Sequence, residues 1–92
     1  MEIDGTRVPV AATRRARLLG LAFLRREAAG AGLLIPRCRS VHTVGMRFRL
    51  DVVFLDDAMH PVSVRRQMGP RRIAWERRAR AALEFPAGEA VA

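Results

Sequence analysis

From Arg47 to Leu55 the side chains alternate with a period of two: Phe48, Leu50, Val52 and Phe54 on one side, Arg47, Arg49, Asp51, Val53 and Leu55 on the other. Successive side chains of an extended chain point to opposite faces, so this pattern predicts a β-strand over 47–55 and does not suit a helix. The second side turns from polar to apolar after Asp51. One end of the strand is therefore expected to keep an exposed face, and the other to be buried on both. Asp56-Asp57-Ala58-Met59-His60-Pro61 then supplies a turn, and Val62 and Val64 alternating with Ser63 and Arg65 predict an antiparallel partner strand.

The remaining elements are arranged around that pair. Ile3, Val8 and Val10 flank an Asp4-Gly5 turn signal and predict a short first strand or hairpin. Thr13 as N-cap, with Ala16, Leu19 and Phe23 on one face, predicts an amphipathic helix whose second half Gly20 weakens. Leu33-Leu34-Ile35 reads as a short buried strand stopped by Pro36, and Gly69-Pro70 breaks the chain again. Trp75 is expected as a core or rim aromatic. Ala79 to Phe85 is helical by propensity or extended by the spacing of Leu83 and Phe85, and local signals do not choose between them. Glu89 to Ala92 reads as a frayed tail.

A chain of 92 residues fits one small domain with a single core. No apolar run approaches the roughly 20 residues of a membrane span, and the start of the chain lacks the apolar stretch of a secretion signal. A cytoplasmic location is the expectation. A single cysteine excludes an internal disulfide framework. The net charge of +8 comes from arginine alone, with no lysine, asparagine or tyrosine, a bias that a GC-rich genome also produces. Arginine pairs recur along the whole chain, so the surface is expected to be diffusely basic and to attract anionic partners in a salt-dependent way.

Most of the reactive side chains gather just ahead of and within the alternating segment: Arg37, Cys38, Arg39, Ser40, His42, Thr43, Arg47, Arg49 and Asp51. Cys38 with His42 and Asp51 has the residue types of a nucleophile, a base and an orienting carboxylate, but their spacing matches no catalytic signature. No catalytic residue is assigned. Nor do Cys38 and His42, with Asp51 or His60, match a zinc spacing, so neither metal nor cofactor is expected. Short polar residues where a chain turns into a strand also satisfy backbone groups, a structural role open to His42, Thr43 and Asp51. In that reading Cys38 and Met46 fill the core, and Gly45 is a bend.

The run from Leu33 to Thr43, then Gly45-Met46-Arg47-Phe48 and Leu50 to Asp56, resembles the signature of the domain-of-unknown-function 192 family of bacteria and archaea. Arg17 to Leu21 and Ala82 to Gly88 resemble family segments too, so the similarity runs through almost all of 1–92. The resemblance implies a mostly β (α+β) fold, a compact antiparallel barrel or sandwich with one short helix, and makes Ala79 to Phe85 a strand. It implies no reaction. Met59 stands where the family often has a turn glycine, and many members continue into a further strand beyond the equivalent of Ala92.

The favoured function is a non-catalytic binding or accessory module. Arg37 and Arg39 on one face, with Arg47 and Arg49 on a neighbouring one, would surround Ser40 and His42 and receive a carboxylate or phosphate bidentately. Arg47→Ala is the diagnostic substitution for that pocket. The partner would be an anionic small molecule or an acidic protein. Nucleic acid is the alternative, drawn by charge but short of stacking residues, with a Cys/His-dependent enzyme a third and less favoured reading.

Overall fold

The computed structural model describes residues 2–3, 6–11, 20 and 32–87. Eight strands run in order: β1 (Glu2–Ile3), β2 (Thr6–Arg7), β3 (Leu33–Pro36), β4 (Ser40–His42), β5 (Leu50–Leu55), β6 (Pro61–Met68), β7 (Ile73–Trp75) and β8 (Ala81–Pro86). They form a β1–β2 hairpin, a four-stranded sheet in the order β3-β8-β5-β6, and a β4–β7 ribbon, with every strand pair antiparallel. Among the described residues the sheets do not close into a barrel: β3 and β6 are the outer strands of the four-stranded sheet. The helix expected after Thr13 lies outside the described residues, and among those described there is no helix.

The alternation read from the sequence sorts the core. Leu50, Val52 and Phe54 are fully buried on one face of β5, packed with Ala82 and covered by Val41 of β4 and Ala74 of β7. On the other face Val53 and Leu55 pack with Leu34, Ala81 and Leu83 under Val8. The central strand is thus apolar on both sides beyond Asp51, as its composition requires.

Strand β5 begins at Leu50 rather than Arg47, because its partners run out. Leu50 is already opposite Pro86 and Met68, the last residues of β8 and β6, and only Ala87 N–H to Arg49 O continues the ladder. The chain from Thr43 to Met46 is instead a turn, closed by Met46 N–H to Thr43 O, with Gly45 at φ 81 in the position that requires a left-handed residue. Pro36 ends β3 from within, paired with Ala81. Residues 81–86 are a strand, which resolves the ambiguity of the local signals. Gly20, read from sequence as a weak point of a helix, has φ 54, and a Cβ there would collide with the buried Glu84 carboxylate.

Between β5 and β6 the loop is organised by Asp56, whose Oδ1 accepts the N–H groups of Ala58 and His60. Met59 N–H donates to Asp56 O, and Met59 itself has φ 65. A methionine there carries the left-handed cost that a glycine avoids, about 1–2 kcal/mol, partly offset by the greater freedom glycine loses on folding. Met59→Gly should therefore raise stability by roughly 0.5–1 kcal/mol in a denaturant titration. A loss of stability would show that the half-exposed methionine side chain contributes more than its backbone costs.

Candidate functional site

The polar residues of the motif are tied to backbone. Thr43 is fully buried just beyond β4; its hydroxyl donates to Gly69 O at 2.7 Å and accepts Arg72 N–H at 2.7 Å. The backbone repeats the link, Thr43 N–H donating to Arg72 O. One side chain thereby fixes the whole 69–72 connection between β6 and β7.

Asp51 does the same for a bulge. Leu50 pairs with Met68 and Val52 with Arg65, so Arg66 and Gln67 together face Asp51. Gln67 takes φ 55, and its N–H, turned out of the ladder, donates to Asp51 Oδ1 at 2.8 Å. The buried carboxylate is thus committed to a backbone donor. Cys38 is half-buried against the core cluster, with its thiol donating to Ser40 O at 3.0 Å. His42 is half-buried on β4, with Nδ1 shielded from solvent. Among the described residues no three His, Cys, Asp or Glu side chains group as a metal site.

The arginines are divided. Arg37 and Arg39 line a concavity of about 380 Å³ with Ala79 and Arg80, and Arg39 Nε donates to Ala79 O. Arg49 lines a separate open cleft of about 580 Å³ together with Arg65, Gln67, Gly69 and Arg72. Arg47 is exposed and lines neither. Within the larger cleft each arginine comes from a different segment. Arg49 Nη1 donates to Gln67 O at 3.2 Å; Arg65 donates to Ser63 Oγ and its Cζ lies 5.9 Å from the centroid of the Phe54 ring; the backbone of Arg72 is held by Thr43. Among the described residues, no acidic one lines this cleft.

Sequence reasoning singled out Arg49 but missed Arg65, Gln67 and Arg72. The Gly69-Pro70 break marked the end of β6 in the sequence but not which residues the following connection brings to the cleft. Trp75 is neither core nor rim: it is 65% exposed, and Ile73, two residues before it, is 77% exposed.

The sequence profile of DUF192, the uncharacterized ACR family, matches residues 1–92. The chain belongs to the DUF192 family. Searches of the curated proteins and of the solved structures found no match. In this DUF192 domain the family-like run from Leu33 to Asp56 therefore coincides with the parts that anchor the cleft, Thr43 and Asp51 among them. No helix among its described residues is long and apolar enough to cross a membrane.

Substitutions at two positions separate anchoring from chemistry. Thr43→Val keeps the shape but strands Gly69 O and Arg72 N–H, and should cost about 2–3 kcal/mol in chemical denaturation. Asp51→Asn keeps an acceptor for Gln67 N–H and should cost clearly less than Asp51→Ala, which loses a charge-assisted bond worth about 1.5–3 kcal/mol. Equal losses for Asn and Ala would mean that the charge, not the acceptor, is what the fold uses.

Proposed function

We propose that this DUF192 domain is a non-catalytic binding module that takes a small anion, a phosphate or carboxylate group, in the cleft lined by Arg49, Arg65 and Arg72. The observation that supports this reading is that three arginines from separate segments line one open cleft with no acidic residue among its described lining. Guanidinium groups offer paired donors that match the oxygens of such anions, and donors already held in place lose less freedom on binding. Here Arg49 is held by Gln67 O and Arg65 by Ser63 and the Phe54 ring. Gln67 and Arg71, both with left-handed φ, flank the same cleft, a concentration of unusual backbone that often accompanies binding sites. The Arg37–Arg39–Arg80 concavity is the smaller alternative, about 380 Å³ against about 580 Å³.

The test is thermal unfolding with inorganic pyrophosphate against chloride at matched ionic strength. At ten times its Kd a ligand adds about 1.4 kcal/mol, which for a domain of this size raises Tm by roughly 5–10 °C. Arg49→Ala and Arg72→Ala should each weaken binding at least about tenfold. Arg66→Ala removes the same charge from outside the cleft and should cost less than about twofold. Equal losses for all three variants, or no stabilisation beyond that of chloride, would reduce the effect to the general positive field.

A further inference from the structure

The outer face of the β4–β7 ribbon carries a second feature. In β7 the side chains alternate, with Ala74 buried against the core and Ile73 and Trp75 turned away from it at 77% and 65% exposure. Across the ribbon Ile73 is opposite His42 and Trp75 opposite Ser40. An outward strand position accepts a polar residue without cost to the fold, so an isoleucine and the chain's single tryptophan side by side in water are unexplained by folding. Next to them in sequence stand the exposed Arg72 and Arg77. Among the described residues neither takes part in an ion pair. The acid adjoining Trp75, Glu76, is held by Arg78 at 3.2 Å, and that hydrogen-bonded guanidinium keeps its carboxyl below the usual carboxylate range. The local field around the apolar pair is therefore positive.

We infer that Ile73 and Trp75 form a docking surface for an acidic protein segment that places an apolar side chain on the pair and its carboxylates on Arg72 and Arg77. Charge complementarity selects this occupant. A second copy of the chain would bring one arginine rim against another at a net charge of +8 each. Single-stranded nucleic acid satisfies the arginines but stacks on aromatic rings, and the more exposed of the two residues is an aliphatic isoleucine that offers no ring. An apolar side chain is desolvated equally well by both, and buried tryptophan at the centre of an arginine rim is the usual composition of a binding hot spot. The strands of the ribbon are three residues long, so the footprint spans about 10 Å, the reach of a short extended segment.

This docking surface adjoins the anion cleft, which Arg72 and Ile73 also line, so its test turns on Trp75, which lies outside the cleft. The probe is a short fluorescein-labelled peptide with one leucine flanked by aspartates, followed by anisotropy and by the emission of Trp75. Saturable binding with a blue shift of Trp75 emission is expected, with at least about tenfold weaker binding for an all-aspartate peptide of equal length and for Trp75→Ser. Val64→Ser, which removes another exposed apolar residue on β6, should leave the affinity unchanged. Stabilisation of Trp75→Ser by pyrophosphate, unaltered from the wild type, would separate the two sites. Equal affinity for the all-aspartate peptide overturns the inference, as does concentration-dependent dimerisation that buries Trp75. So does tighter, Trp75-quenching binding of oligothymidylate than of the leucine peptide.

Discussion

The buried hydroxyl of Thr43 is the interaction on which the arrangement of the surface depends. It connects residues far apart in sequence, giving its hydrogen to Gly69 O and taking the Arg72 N–H, at 2.7 Å each. Both partners lie in the connection that leaves the four-stranded sheet and enters the ribbon. A hydroxyl is well suited to this task because it donates and accepts at once, and inside a fold both bonds are costly to lose. With the connection fixed, Arg72 is delivered to the cleft and β7 is registered against β4, Ile73 opposite His42 and Trp75 opposite Ser40. The cleft and the ribbon's outer face are therefore products of one anchor.

Asp51 plays the complementary part on the other wall. Its carboxylate captures the N–H of Gln67, which the bulge in β6 has removed from the ladder. That bulge turns Gln67 O toward Arg49. Of the residue types that suggested a nucleophile, a base and an orienting acid, the acid Asp51 thus supports backbone and the thiol of Cys38 packs against the core. What they support is a surface rich in arginine, whose charge is supplied by residues outside the motif as much as within it.

Much of the fold was legible because it is written in short-range patterns. The alternation from Leu50 to Leu55 assigned each side chain to the face it occupies, and the Asp56 turn and Val62 strand followed from composition alone. What escaped depends on partners distant in sequence. The start of β5 is set by where β6 and β8 end, and the strand state of 81–86 by pairing with β3 and β5. Arg65 and Arg72 join Arg49 only through the bulge and the Thr43 anchor, neither of which leaves a local signature. The surface position of Trp75 was also hidden, since an aromatic in a three-residue strand looks the same whichever face it takes.

The most direct test of the central claim, that these anchors build a discrete anion cleft, is a two-dimensional amide NMR titration with inorganic pyrophosphate at fixed ionic strength. The account predicts saturable shifts confined to the Arg49, Arg65 and Arg72 side chains and the backbone from Gln67 to Ile73. Shifts centred on Arg37, Arg39 and Arg80, or spread over arginines throughout the chain without saturation, would contradict it.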